Sequence, residues 1–137
     1  MVRDEVLRNQ LGQTLLETDL PLPGKRRGKV RDTYVLGDEM LLVATDRLSA
    51  FDVVLSTVPF KGQILNQLAA WWFEKTRDVA PNHVIAQPDP NALLSRRCEA
   101  LPVEVVVRGY ITGSLWRDYT AGRAGVYGID LPRGLRK

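Results

Sequence analysis

The stretch Gly28-Lys29-Val30-Arg31-Asp32-Thr33-Tyr34-Val35-Leu36-Gly37-Asp38-Glu39-Met40-Leu41-Leu42-Val43-Ala44-Thr45 decides the fold class. Residues 28–36 read as extended, because Val30, Tyr34 and Val35 fit a pleated, half-buried surface. Met40 to Thr45 is a short apolar run of the kind a buried strand carries. Gly37-Asp38 between them is a turn signal, and so short a link joins two strands antiparallel. Outward from this hairpin, Val53 to Val58 is another strand candidate, ended by Pro59. Residues 64–77 form the clearest helix: Ile64, Leu65, Leu68, Trp71, Trp72 and Phe73 make a broad apolar face, with both tryptophans as core anchors. His83 to Ala86 reads as a short strand among Pro81, Pro88 and Pro90, Val103 to Val107 as a further strand, and Ser114 to about Ala121 as a helix. Near the start, Leu7, Leu11 and Leu15 recur every fourth residue, giving one face of a helix over residues 3–17 that Gly12 weakens. Leu20-Pro21-Leu22-Pro23-Gly24 ends it as a loop. The sum is an α+β fold, an antiparallel sheet lobe with flanking helices rather than a parallel doubly wound sheet.

The chain has 137 residues, of which 45% are apolar and 26% charged, which places it among ordinary globular domains. No apolar run approaches the roughly 18 residues of a membrane span, and the first residues lack the apolar stretch of a signal peptide. Cys98 is the single cysteine, so no intrachain disulfide forms; a reducing, cytoplasmic location and a small core side chain are the simplest expectations. His83 is the single histidine and has no partner at ligand spacing, so no metal site is expected on it. The net charge is only +3, yet Lys25 to Arg31 carries five cations in seven residues. Such a cluster points to an anionic partner: nucleic acid, a membrane surface or a phosphorylated small molecule.

Three constellations carry chemistry. In Gly28-Lys29-Val30-Arg31, a strand would project Lys29 and Arg31 from one face, and Gly28 would let a ligand approach the backbone. Two cations beside an open backbone suit a triphosphate, although this is not a Walker A loop; a solvated basic strand is the alternative. Asp46-Arg47-Leu48-Ser49-Ala50-Phe51-Asp52 follows a buried strand, where polar groups can line a cleft or merely cap a turn. Arg108-Gly109-Tyr110-Ile111-Thr112-Gly113-Ser114 joins a strand end to a helix start. Free helix amides at Ser114 and a bidentate Arg108 can hold a phosphate; the alternative is a plain cap and a plain ion pair.

Taken together, Gly28 to Tyr34, Val43 to Asp52, Lys61-Gly62 and Leu101 to Ser114 resemble the SAICAR synthetase family, phosphoribosylaminoimidazole-succinocarboxamide synthase. The resemblance implies a kinase-like, ATP-grasp-like N-terminal lobe, with ATP between it and a second lobe. It implies a ligase of purine biosynthesis that condenses L-aspartate with carboxyaminoimidazole ribonucleotide, consuming ATP with Mg2+ and releasing SAICAR, ADP and phosphate. It places Gly28, Lys29, Val30 and Arg31 over the ATP phosphates, Thr33 and Leu42 against adenine, and Arg96 and Ala100 near the hinge. Arg108, Gly113 and Ser114 would hold the ribonucleotide phosphate, and Ser49 and Asp52 would face the cleft. Family members run on well past residue 137. Residues 1–137 are therefore expected to be the nucleotide-binding lobe plus the start of the next domain. The metal-binding, acid-rich lobe would lie outside, and no Mg2+ ligands are expected here. Such a piece is expected to be inactive alone and to self-associate through exposed apolar surface. Membrane and nucleic-acid partners are not expected. The competing readings are a basic nucleic-acid-binding module, for which Tyr34 is the one aromatic near the cations, and a non-catalytic ATP-binding remnant.

Overall fold

The computed structural model describes residues 4–107, 109–123, 125, 128 and 130–136. In chain order the elements are α1 (Asp4–Gln10), β1 (Arg26–Arg27), β2 (Arg31–Leu36), β3 (Glu39–Ala44), β4 (Arg47–Ala50), β5 (Val53–Thr57), α2 (Lys61–Lys75), β6 (Val84–Asp89), β7 (Ala92–Arg96) and α3 (Gly113–Thr120). Residues 1–99 form one compact unit and residues 100–137 a second.

The first unit is an antiparallel sheet of five strands in the order β1-β2-β3-β7-β6. The β2–β3 hairpin turns at Gly37, whose φ of 70° is open to glycine, and its register pairs Thr33 with Leu42 and Arg31 with Ala44. The α+β, antiparallel expectation therefore holds. Strands β4 and β5 make a separate two-stranded hairpin, so Val53 to Thr57 does not join the main sheet.

Alternation assigns the two faces of the sheet. Tyr34, Val43 and Ala92 form the buried cluster on one face, joined by Leu15 and Leu41. The irregular segment around Thr14 to Leu20 seals this face: Thr18 bonds both Asp32 and the Tyr34 hydroxyl, and the Leu20 N–H donates to that same hydroxyl. Helix α2 packs against β3, β7 and β6. Gly62 permits close approach there, since a Cβ would lie 2.3 Å from the Ala44 carbonyl oxygen.

Several expectations are corrected. The N-terminal helix stops at Gln10, and Leu15 instead packs on the sheet from irregular chain. Strand β7 lies between β3 and β6, although its sequence sits behind Pro88 and Pro90, which read as punctuation. Val103 to Val107 pairs with no strand among the described residues, and Val107 is 92% exposed; β-branched sequence without a partner edge makes no ladder. Trp71 and Trp72 are about half exposed, because α2 turns its small residues inward. Cys98 is exposed rather than in the core.

Candidate functional site

Gly28-Lys29-Val30 is the tight link between β1 and β2, closed by a Gly28 N–H to Arg31 carbonyl bond of 2.7 Å. Lys29 therefore rides on a turn, and the expected strand face shared by Lys29 and Arg31 does not form. The exposed Lys29 ammonium pairs with the Asp52 carboxylate, which that partner holds below the usual aspartate range. Asp52 stands at the tip of the β4–β5 hairpin, where Phe51 and Asp52 take φ of 51° and 65°. Two consecutive positive φ values are those of a type I′ turn, which favours Asn, Asp and Gly; Phe51 is the unusual residue, and it is 97% exposed.

Arg47 lies beneath the turn and is fully buried. Its Nε donates to the Lys29 carbonyl at 3.1 Å, and its Nη2 to the Gly28 carbonyl at 3.0 Å and to Asp32 Oδ1 at 2.8 Å. Nη1 donates to the Leu16 carbonyl. Burial pushes the Asp32 carboxyl up. Arg47 and the Thr18 N–H and hydroxyl outweigh that and hold it below its ordinary value. Asp46 is buried as well, its carboxylate accepting the Leu15 N–H at 2.8 Å and the Gly62 N–H at 2.9 Å. Asp46 and Arg47 are thus internal fastenings: one ties the N-terminal segment to the start of α2, the other ties it to the turn.

A cavity of 160 Å³ lies between the sheet and α2, next to the turn. Val30, Arg31 and Leu42 line it, with Lys61, Asn66 and His83. It is smaller than the roughly 300 Å³ from which small-molecule sites usually start, so it accommodates part of a nucleotide at most. Thr33 sits beside Leu42 in the register. Arg96 closes β7 opposite Glu39, three residues along the strand from Leu93 and not on the cavity wall. Ser49 is half-buried on β4 at an irregularity of the β4–β5 register. Among the described residues no three Asp, Glu, His or Cys side chains gather as a metal centre.

In the second unit, α3 begins at Gly113, whose φ is +65°. Thr112, not Ser114, takes the N-cap position, and it makes no side-chain cap bond. Ser114 is exposed in the first turn, where amides lack intrahelical acceptors. A concavity of 420 Å³ there includes Tyr110, Thr112, Gly113 and Ser114. Ala100 is exposed at the start of this unit, and Arg108 lies outside the described residues.

Within the first unit the fold brings together Gly28, Lys29, Val30, Arg31, Leu42 and Asp52. Sequence reasoning placed Arg47 in a constellation that lines a cleft or caps a turn, weighed His83 only as a metal ligand, and left out Asn66. The structure turns Arg47 inward onto the turn carbonyls, and nothing in the sequence announces that direction.

An antiparallel sheet under a helix, with a cationic turn at one corner, defines an α+β lobe that presents positive charge from a fixed backbone. The chain belongs to the SAICAR synthetase family, whose profile matches residues 25–137. It is 54% identical to phosphoribosylaminoimidazole-succinocarboxamide synthase of Legionella pneumophila strain Lens, covering 90% of this chain and 41% of that protein. It is 45% identical to the chloroplastic enzyme of Vigna aconitifolia, covering 100% of this chain and 42% of that protein. The SAICAR synthase of Saccharomyces cerevisiae, solved in complex with SAICAR, superposes with a TM-score of 0.77 at 35% identity, over 90% of this chain and 50% of that one. A type-2 SAICAR synthetase solved with ADP gives 0.62 at 26% identity, over 69% and 42%. The chain thus spans about two-fifths of the length of the curated relatives it matches.

Proposed function

We propose that this chain is the nucleotide-binding part of an ATP-dependent carbon–nitrogen ligase of purine biosynthesis. The whole protein joins L-aspartate to carboxyaminoimidazole ribonucleotide and yields SAICAR, ADP and phosphate. The γ-phosphoryl group of ATP passes to the imidazole carboxylate, the aspartate amine attacks the acyl phosphate, and inorganic phosphate leaves. Such chemistry rests on positioning and charge stabilisation more than on a single base.

The observation that carries this reading is the Gly28-Lys29-Val30 turn, which presents an ammonium group from a backbone held by a buried arginine. That a family member has been solved in complex with ADP supports the use of an adenine nucleotide. In this assignment Gly28, Lys29, Val30 and Arg31 engage the ATP phosphates, Thr33 and Leu42 flank the base, and Arg96 and Ala100 contribute at its rim. Arg108, Gly113 and Ser114 take the ribonucleotide phosphate, and Ser49 and Asp52 face the substrates. In this reading Mg2+ accompanies ATP, and its protein ligands belong to the acid-rich lobe outside these residues. A cytosolic location and self-association belong to the same proposal.

Calorimetric titration tests it. Mg-ATP is expected to bind the wild-type chain and to lose about tenfold or more in affinity on Lys29→Ala, in keeping with the loss of a charge-assisted phosphate contact. Ser114→Ala is expected to weaken the imidazole ribonucleotide and leave Mg-ATP unchanged. Absence of Mg-ATP binding to the wild-type chain would sink the assignment of the turn.

A further inference from the structure

We propose that Arg47 is a positioning residue that orients the peptide planes of the turn so that the Lys29 and Val30 amides face an incoming phosphate. The inference deepens the assignment of this turn to ATP phosphates and rests on it. Its starting point is the fate of three consecutive carbonyls. The Gly28 oxygen accepts from Arg47 Nη2 at 3.0 Å and the Lys29 oxygen from Arg47 Nε at 3.1 Å. The Val30 oxygen accepts both the Thr45 N–H at 3.1 Å and the Thr45 hydroxyl at 2.9 Å. All three carbonyls are therefore drawn inward by the segment from Thr45 to Arg47.

Peptide planarity supplies the consequence. In a trans peptide the carbonyl of one residue and the N–H of the next point in opposite directions, and the chain contains no cis peptide. Drawing in the Gly28 and Lys29 carbonyls turns the Lys29 and Val30 N–H groups outward. Neither N–H donates to a protein acceptor among the described residues. Two adjacent outward amides beside an ammonium group form a concave donor set suited to anions. The Asp52 carboxylate already sits on the Lys29 ammonium, so an anion has a place there in this structure.

Arginine is needed for geometric reasons. Its planar fork delivers Nε and Nη2 to two neighbouring carbonyls while Nη1 and Nη2 reach Leu16 and Asp32. A lysine ammonium presents its donors from one point and cannot span that set. Asp32 is bound in turn by Thr18, which holds the guanidinium in its plane. Arg47 itself is completely buried and offers no surface to a ligand, so its effect on binding acts through the backbone.

The test compares Arg47→Lys with Asn82→Ala in the 137-residue chain, titrated with Mg-ATP and with sodium tripolyphosphate. Asn82→Ala removes an amide that donates to the Phe73 carbonyl and accepts the Val84 N–H, and among the described residues it shares no hydrogen-bond partner with the turn. Arg47→Lys is expected to lower affinity for both anions by about 10- to 100-fold, the range that misplaced ligand-orienting groups give. Asn82→Ala, a destabilised control, is expected to bind tripolyphosphate within about twofold of wild type, as sites without shared partners do. A folded Arg47→Lys chain that binds as tightly as wild type overturns the positioning role, and so does an equal loss of tripolyphosphate affinity in Asn82→Ala. If Arg47→Lys fails to fold, amide hydrogen exchange of the ligand-free wild type decides. The Gly28 amide is expected to exchange about 100-fold more slowly than those of Lys29 and Val30, and equal rates overturn the proposal. A wild-type chain that binds neither anion refutes the phosphate assignment first and the positioning role with it.

Discussion

Asp32 and Arg47 form a buried ion pair with further hydrogen bonds from Thr18, and a side chain so placed ties acid–base chemistry to stability. The folded-state pKa of Asp32 is depressed. Its stabilising contribution is therefore present above the unfolded value, about 3.9, and is lost as pH falls through the folded value. Thermal melts of the wild type are expected to drop steeply below about pH 4. Those of Asp32→Asn are expected to start lower at neutral pH, by the roughly 3–5 kcal/mol of a broken buried pair, and to fall less in acid. Identical acid limbs would place the acid-labile group elsewhere. The exposed Lys29–Asp52 pair makes a different prediction. Asp52→Ala removes a carboxylate competing for the ammonium, so tripolyphosphate affinity is expected to rise about two- to fivefold, the scale of a surface ion pair. A fall in affinity would mean that Asp52 orients Lys29 rather than competing for its charge. Lys29 was legible in the sequence as a cation beside a glycine. Arg47 was legible as a polar group after a strand but not as a buried fastening, because a sequence displays charge but not the direction in which it is buried.

Helix α2 shows how an element can be located from sequence and yet be turned the wrong way. Its span was plain from its composition, but its apolar residues run all round it. The inward row is Gly62, Asn66, Ala69 and Phe73, spaced for one face, with Gly62 and Ala69 small enough for close packing; Asn66 reaches the Pro90 carbonyl at 2.9 Å. Ile64, Leu68 and Trp71 are left outside, between 51% and 60% exposed. Large apolar residues attracted the core assignment, whereas the backbone approach at Gly62 dictated the opposite orientation. Gly62→Ala is accordingly expected to destabilise by about 1–3 kcal/mol, because the new methyl group meets the Ala44 carbonyl and the Asn91 amide, and backbone cannot yield as a side chain can. An unchanged melting temperature would show that α2 can slide outward at no cost. Strand β7 was lost for a related reason: its ladder lies with β3 and β6, and Pro88 on the preceding edge strand and Pro90 in the link masked it. The β2–β3 hairpin was legible because its turn, pattern and register are all local.

At the scale of the whole molecule, one run of apolar exposure lies along α2, where Ile64, Leu68, Trp71 and Trp72 are all at least half exposed. A helix apolar on every side is normally covered on every side. Sedimentation of the 137-residue chain is expected to show concentration-dependent association, reduced by Leu68→Lys; a single monomeric species at every concentration would contradict it. The strap from Thr14 to Leu20 has a practical consequence of another kind. The family match begins at residue 25, but the strap supplies a carbonyl to Arg47, two donors to Asp32 and an amide to Asp46. A dissection that starts expression at the family boundary would strip one of four acceptors from a buried guanidinium and open Tyr34 to water. The useful cut for engineering, crystallisation or peptide complementation therefore lies upstream of Thr14, in chain that no family boundary marks.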